Sequence, residues 1–356
     1  MTYLAAILFV VGVCFGFEVY RSFYCPMPLQ EHESIIFRID KSSSATTFVH
    51  VLDSQRLVNS SRLFLYFIRL QGLSTRLKAG IYQIKPGESV QQLLRRVVAG
   101  DVLKETFRII EGTTQQQIAT KLTQAPYLSY KDSDWNDVFA LKLDQAHRCE
   151  STSRLWDANR LSDCFMTLAK TEDSRPITEG LLLADTYQYT ADSDAKQLLT
   201  HAYDNLKHYL LASWLHRNPA LPYKNPYELL IVASILEKEA AISDERRLIS
   251  GVIVNRLSSH MPLQMDPTVI YALGSTYTGK LTHDNLQIDS PYNSYRYRGL
   301  PPTPITMVGK DAIDAASHPH MTHYYYFVAK GDGTHMFSET YEQQRQAVDR
   351  YIRKHK

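Results

Sequence analysis

Two glutamates at the end of an apolar segment are the residues of this chain best suited to proton transfer. The segment Leu229–Leu236 contains a single polar residue, Ser234, and Glu237 and Glu239 follow it directly. On a helix each residue advances by about 100°, so these two side chains point to nearly opposite sides and cannot form one paired carboxylate site. Apolar surroundings raise the pKa of a carboxyl, which is the condition that a general acid needs near neutral pH.

The helical neighbours of the two glutamates distinguish them. Glu239 lies over the bulky residues Ile235 and Leu236, whereas Glu237 lies over the smaller Ala233 and Ser234. The pattern therefore favours Glu239 as the proton donor. Composition leaves a simpler alternative open, in which both carboxylates are solvated or paired with nearby lysine and arginine side chains.

The start of this helix is marked by capping residues. Asn225 is a candidate N-cap, Pro226 occupies the first helical position, and Glu228 stands three residues after the cap, as in a capping box. A second long helix is predicted before it, from Ala195 to Trp214.

Composition bounds the classes of protein to which this chain can belong. Its 356 residues are 44% hydrophobic, enough for a sizeable core divided among two or three domains. The formal net charge is +2, and basic residues are interspersed with acidic ones, so no nucleic-acid partner is expected. The chain is rich in tyrosine, with 23 residues, and the flat ring and hydroxyl of tyrosine suit both half-buried packing and contact with sugar rings.

The N-terminus predicts a single-pass membrane anchor over residues 1–22. The stretch Tyr3–Phe17 carries no charge, and neither a basic segment before it nor a small-residue cleavage site after it indicates a cleaved signal peptide. Charge counting does not decide the orientation, because Arg21 follows the segment and only the terminal amine precedes it.

Residues 30–105 are predicted to form a small α/β domain. Strands are expected at Ile35–Ile39 and Ala79–Ile84, with two helices between them and a third over Val90–Val98 that Gly100 closes in a left-handed cap. This order of elements resembles a LysM-like module, which implies either glycan binding or docking onto the next domain.

Residues 106–215 are predicted to be a connecting region with a helical insertion, and the sequence assigns no chemical role to its part between Tyr127 and Arg175. Cys149 and Cys164 lie in this insertion and are close enough in sequence to close a short loop. A disulfide and two unpaired thiols both remain open, and the choice depends on the compartment.

Several segments of the C-terminal region, residues 216–356, occur in the order found in one family. They include Ala233–Ala240, Val254–Leu257, Leu263–Tyr271, Tyr292–Tyr295, Gly299–Ile305 and Tyr325–Ala329. In these motifs the chain resembles the YceG-like family of endolytic murein transglycosylases. The resemblance implies an inner-membrane protein whose LysM-like and catalytic domains lie in the periplasm, and it is poor over the insertion.

The resemblance also implies a reaction. Family members cleave the β-1,4 bond between N-acetylmuramic acid and N-acetylglucosamine within nascent glycan strands, leave 1,6-anhydromuramyl ends without consuming water, and thereby limit strand elongation. The family's catalytic residue maps to Glu239, the residue that helix geometry also favours, and Glu237 and Asn255 are assigned to structural support.

Six further residues are assigned to substrate binding in the cleft that the family places beside the glutamate. They are Gln264, Asp266, Thr268, Tyr292, Asn293 and Tyr295. The alternative for the first three is a turn in which Asp266 caps the following helix, and for the last three a tyrosine-rich surface strand. His318 and His335 lack a carboxylate partner at a fixed spacing, so neither a metal site nor a cofactor is expected.

The sequence thus predicts an α+β fold with an N-terminal transmembrane helix, a LysM-like α/β domain and a mixed α+β catalytic domain. Its expected partners are peptidoglycan glycan strands, the membrane and, by resemblance, a peptidoglycan synthase of the penicillin-binding class. The alternatives are a non-catalytic peptidoglycan-binding scaffold of the cell envelope, in which Glu239 is structural, and a simple hydrolase.

Overall fold

The computed structural model describes residues 2–29, 34–146, 165, 177–239 and 243–353. Contacts divide the chain into two compact units. The N-terminal unit comprises residues 1–105, 126–128 and 188–193, and the larger unit comprises residues 106–125, 129–187 and 194–356.

Helices and short strands alternate along the first part of the chain. In order they are α1 (Thr2–Tyr24), β1 (Ile35–Ile39), α2 (Ala45–Ser54), α3 (Ser61–Leu70), β2 (Gly80–Ile84), α4 (Val90–Ala99), β3 (Lys104–Arg108), α5 (Gln115–Leu122), β4 (Leu128–Ser129) and α6 (Ser133–Ala146). The second part is mainly helical. It consists of β5 (Thr186–Thr190), β6 (Ser193–Asp194), α7 (Ala195–Leu215), α8 (Pro226–Glu239), α9 (Ser243–Ser258), α10 (Asp266–Leu273), α11 (Lys310–Ser317), β7 (Tyr326–Ala329), β8 (His335–Ser338) and α12 (Tyr341–Val348).

The N-terminal unit is built on one antiparallel strand pair. β1 and β2 pair with Ile35 opposite Ile84 and Ile39 opposite Gly80, and α2, α3 and α4 contribute apolar side chains to the same core. The strands predicted from alternation and the left-handed cap at Gly100, whose φ is 79°, are confirmed. An added Cβ at Gly100 would lie 2.6 Å from Cδ of Lys78, so glycine also serves a close approach here.

Helix α1 meets the length and apolarity needed to cross a membrane. The qualifying window is Ile7–Tyr24, and it is the one candidate span among the described residues. At the end of the helix Phe23 is 3% exposed and its ring stacks on Phe67 with centroids 4.5 Å apart. The last turn of α1 is therefore part of the core of the N-terminal unit.

Helix α8 occupies the centre of the larger unit. Every residue from Leu229 to Leu236 is buried, and α8 packs against α7, α9, α10 and α11. Ser234, the one polar residue of this run, donates to the Ile231 carbonyl at 2.7 Å and accepts the Ile305 N–H at 3.0 Å. A buried hydroxyl thus fastens a proline-rich segment to the helix without leaving an unsatisfied polar atom.

The predicted start of α8 is confirmed, with one difference in the cap. Asn225 Oδ1 accepts the Glu228 N–H at 3.0 Å, as expected for an N-cap. The Glu228 carboxylate accepts the Lys224 N–H at 2.7 Å, so its bond goes one residue further back than in a capping box.

The region predicted as a connection contributes to the larger unit. Helix α6 packs against α7, and α7 packs against α8 and α11, so the unit that contains Glu239 extends well before residue 216. Cys149 and Cys164 lie outside the described residues.

Candidate active site

Glu239 ends α8 at the wall of a cavity of about 410 Å³. Gln264, Asp266 and Tyr295 line the same cavity, so the fold brings together four residues that the sequence analysis selected. Arg256, Tyr326 and His335 are among the other polar and aromatic residues of its lining. Because α8 is buried along most of its length and ends at the cavity, its last residue, Glu239, is partly buried and still accessible to a ligand.

The Glu239 carboxyl is partly protonated near pH 7. Burial is the main cause that raises its pKa to about 7, and the nearby negative charge of Asp266 raises it further. Within the described residues no hydrogen bond or ion pair holds this carboxyl. It is therefore available to a ligand and protonated often enough to act as an acid near neutral pH.

Glu237 has a different environment, as the helix geometry predicted. Its Oε2 accepts the Gly309 N–H at 2.9 Å, and its Oε1 is 3.2 Å from Nη2 of Arg246. Its side chain is 5% exposed. The carboxylate thus joins the end of α8 to α9 and to the start of α11, which is a structural arrangement.

Asp266 is fixed beside Glu239 by a tyrosine. The Tyr295 hydroxyl donates to Oδ1 of Asp266 at 2.5 Å, and burial followed by this bond raises the pKa of Tyr295. Because the tyrosine stays protonated, its hydroxyl can donate to Asp266 and hold that side chain in position at the cavity. The negative charge of Asp266 accounts for the second part of the shift at Glu239.

Arg256 organises the loop that carries Gln264. The side chain is 6% exposed, and its guanidinium donates to the carbonyls of Tyr325, Pro262 and Leu263 at 2.6, 2.9 and 3.0 Å. It also donates to Oε1 of Gln264 at 3.1 Å. Gln264 has a φ of 54°, in the left-handed region that costs free energy for a residue with a Cβ. The buried guanidinium therefore supports a strained backbone at the cavity wall.

A second support lies on the opposite wall. His335 on β8 donates its backbone N–H to the Glu245 carboxylate at 3.0 and 3.1 Å, and its Nδ1 lies 2.7 Å from Glu245 Oε2. Asn255 on α9 donates to the carbonyls of Thr322 and Tyr324 at 2.8 Å each, just before β7. These contacts join α9 to the β7–β8 hairpin.

Three residues selected from the sequence do not reach the cavity. Thr268 and Asn293 are fully buried, and their side chains bond to the protein: Thr268 to Met265 O and Ser294 Oγ, Asn293 to the carbonyls of Leu286 and Ile288. Both side chains are 0% exposed and are bonded to protein groups in this structure. Tyr292 lines a separate cavity, and its hydroxyl is 2.8 Å from Thr303 Oγ1.

The side chains of His318 and His335 contact other protein groups. His318 contacts Ser317 Oγ through Nδ1 and the His216 carbonyl through Nε2, while His335 is paired with Glu245. Among the described residues no group of three or more His, Cys, Asp or Glu side chains is arranged to hold a metal ion.

Arg256, Tyr326, His335 and Glu245 were not assigned to the site from the sequence. Arg256 and Tyr326 occur within the motifs that carry the family resemblance, but a motif does not reveal which side chain faces a cavity. Glu245 and His335 are 90 residues apart, so their pairing has no local signal.

Comparisons with known proteins show the family to which this chain belongs. A family model described as the YceG-like family matches residues 37–350. An endolytic murein transglycosylase of Bacillus subtilis is 29% identical over 336 residues, covering 93% of this chain and 89% of the relative. One from Streptococcus pneumoniae is 28% identical over 90% of this chain and 59% of its own length. The crystal structure of a YceG-like protein from Listeria monocytogenes aligns with a TM-score of 0.54 at 28% identity, covering 88% of this chain and 98% of that one.

Proposed function

This chain belongs to the YceG-like family, and from that premise we propose that it is a lytic transglycosylase that cleaves peptidoglycan glycan strands internally. The observation that carries the proposal is the Glu239 carboxyl, which lines a cavity, has no hydrogen-bond or ion-pair partner among the residues that the structure describes, and has a pKa raised to about 7. The names of the curated relatives, endolytic murein transglycosylases, supply the substrate class.

In the proposed reaction Glu239 acts first as an acid and then as a base. Its carboxyl gives a proton to the glycosidic oxygen as the bond from that oxygen to C1 of N-acetylmuramic acid breaks. The C6 hydroxyl of the same sugar then bonds to C1 and returns a proton to the Glu239 carboxylate. The products are a free hydroxyl on N-acetylglucosamine and a 1,6-anhydromuramyl end. Because the nucleophile belongs to the substrate, the second carboxylate of an ordinary glycosidase is dispensable.

The other cavity residues have positioning roles in this proposal. The Gln264 amide and the Asp266–Tyr295 pair line the cavity beside Glu239, where they can hydrogen bond to sugar hydroxyl and N-acetyl groups. Asp266 also holds the proton on Glu239 through its charge. Glu237 and Asn255 support the ends of α8 and α9 without contacting the substrate.

The location and role of the N-terminal unit are proposed from the family resemblance and from helix α1. We propose that α1 anchors the chain in the bacterial inner membrane, with the larger unit in the periplasm where glycan strands lie. The N-terminal unit is proposed to be LysM-like, and a peptidoglycan synthase of the penicillin-binding class is the proposed protein partner.

The identity of the product tests the reaction. The full-length chain in detergent is suitable, because Phe23 and Met27 belong to the core and would be lost from a shorter soluble fragment. Uncross-linked glycan strands are incubated with it, and we expect new ends with the mass of anhydromuramyl groups. Asp266 beside Glu239 makes a hydrolase the second candidate, since two carboxyls could activate water. Ends heavier by one water would establish that candidate, and no new ends would favour the scaffold.

The pH dependence of the rate tests the electrostatics. Because the acid must be protonated, activity is expected to fall as the pH rises above about 7. Asp266→Asn removes a negative charge and so lowers the pKa of Glu239, which moves this alkaline limb to lower pH. Asp289 is a matched control, since it accepts a hydrogen bond from Tyr297 in an exposed pair elsewhere. The measurement is the initial rate across the neutral pH range. If Asp266→Asn left the alkaline limb in place, or if Asp289→Asn moved it, Asp266 would not be the charge that raises the pKa of Glu239.

A further inference from the structure

A second and larger cavity opens beside the active site. It has a volume of about 710 Å³, and we call it the Tyr271 cavity after the residue at its centre. Tyr271, Tyr292, Glu179, Lys238, Pro267 and Ser275 are among its lining residues, all of them in the larger unit. Cavities of this size are typical of sites that bind small molecules or segments of polymers.

At two places in the chain, consecutive residues line the two cavities. Glu239 lines the first cavity and Lys238 the second; likewise Asp266 lines the first and Pro267 the second. The end of α8 and the start of α10 therefore form the boundary between the two spaces. A linear ligand whose reacting bond lies at Glu239 needs to pass only this boundary to enter the Tyr271 cavity.

The aromatic side chains of the Tyr271 cavity are held in fixed positions. The rings of Tyr271 and Tyr292 have centroids 4.9 Å apart at an angle of 55°. The Tyr271 hydroxyl donates to Glu179 Oε2 at 3.4 Å, and the Tyr292 hydroxyl is 2.8 Å from Thr303 Oγ1. Because both hydroxyls already have partners, the rings present mainly carbon surface to the cavity.

Two charged side chains, Glu179 and Lys238, lie in the lining of the Tyr271 cavity. Glu179 accepts the Gln115 N–H at 3.0 Å, and burial raises its pKa to about 7. Lys238 is the cation at the other side, and its ammonium donates to the Gly112 carbonyl at 3.3 Å. The lining therefore pairs rigid aromatic carbon with a few polar groups and little net charge. Sugars, with apolar C–H faces and a rim of hydroxyls, have the matching surface.

We propose that the Tyr271 cavity is a binding subsite for N-acetylated sugar units of the glycan strand, lying to one side of the bond that is cut at Glu239. This inference rests on the proposed function and deepens it. An enzyme with such a subsite holds an interior part of a strand more tightly than a short end, because additional sugar units contribute binding energy only when the strand is long enough to occupy both cavities.

The test compares binding of short and long glycan oligomers. The full-length chain carrying Glu239→Gln binds without turnover, so affinity for a disaccharide and for long uncross-linked strands can be measured by calorimetry. Ser275 is exposed at the Tyr271 cavity, and Ser275→Trp should fill part of it. We expect Ser275→Trp to weaken binding of long strands by about tenfold or more and to leave the disaccharide unchanged.

Thr276→Trp is the matched control, since Thr276 is the next residue and is exposed but does not line the cavity. Equal affinity of long strands for Ser275→Trp and its parent would overturn the subsite, and so would an equal loss in Thr276→Trp. The result of this binding test does not depend on whether the protein carries out the proposed reaction. If wild-type protein forms no anhydromuramyl ends while Ser275→Trp still weakens the binding of long strands, the proposed reaction fails and the subsite stands.

Discussion

Glu239→Gln is expected to lower the rate of anhydromuramyl-end formation by about 10²- to 10⁴-fold, the usual contribution of a positioned general acid or base. Glutamine has nearly the same shape as glutamate, so the cavity is retained, but it can neither give up nor accept the proton. The measurement is the initial rate of anhydromuramyl-end formation at pH 7 with saturating glycan strands. A rate close to that of the wild type would remove Glu239 from the mechanism.

The control for this variant lies two residues earlier on the same helix. Glu237→Gln keeps one acceptor oxygen but places an amide N–H₂ against either the Gly309 N–H or the Arg246 guanidinium, both of which require an acceptor. We expect this change to destabilise the folded protein by about 1–3 kcal/mol. The folded fraction should retain most of its reaction rate. The two variants thus separate catalysis from support at neighbouring positions.

Glu239→Gln should also remove a pH dependence of stability. In the folded protein the pKa of Glu239 is raised from 4.5 to about 7, so between these values the folded state binds more protons than the unfolded chain. Its contribution to stability therefore declines as pH rises through this window. Thermal unfolding of the Glu239→Gln variant should depend less on pH there than that of the wild type.

Arg256→Met is expected to have the second large effect. Methionine fills similar space but leaves the carbonyls of Tyr325, Pro262 and Leu263 without this donor, in a buried position for Leu263 and in part-buried positions for the other two. The expected loss of stability is about 3 kcal/mol or more, because each buried unsatisfied acceptor costs about 1–3 kcal/mol. Since Gln264 keeps its left-handed backbone beside this guanidinium, the rate should fall as well.

Denaturant unfolding and amide hydrogen exchange at Leu263 and Gln264 measure this effect. Arg345→Met is the control, since Arg345 pairs with Glu342 on the surface of α12 with side chains 62% and 57% exposed. A surface pair of this kind contributes at most about 1 kcal/mol. If the two variants lost equal stability and the Leu263 and Gln264 amides were equally protected in both, Arg256 would not organise the loop.

Local structure was predictable where a short-range cause dominates. The N-cap at Asn225, the run of buried residues in α8 and the left-handed cap at Gly100 depend on neighbours within one helical turn. The different environments of Glu237 and Glu239 follow from the same geometry, since side chains two positions apart on a helix differ by about 200° in direction.

Residue types alone did not identify the members of the site. Thr268 and Asn293 occur in the same motifs as Asp266 and Tyr295, yet they are fully buried and bond to the backbone. An amide or hydroxyl that can bond to a sugar can equally satisfy a buried carbonyl. Which of these occurs depends on burial, and burial is a property of the packed chain.

The amino-acid sequence by itself determined the apolar helix, its polar end, and the orientation of Glu239 away from Glu237, because helix periodicity and capping act over a few residues. Only the tertiary structure decided that Arg256 holds the Gln264 loop, that Glu245 holds His335 across 90 positions, and that a second cavity adjoins the first. These features depend on contacts between distant segments, for which a single sequence contains no periodic signal.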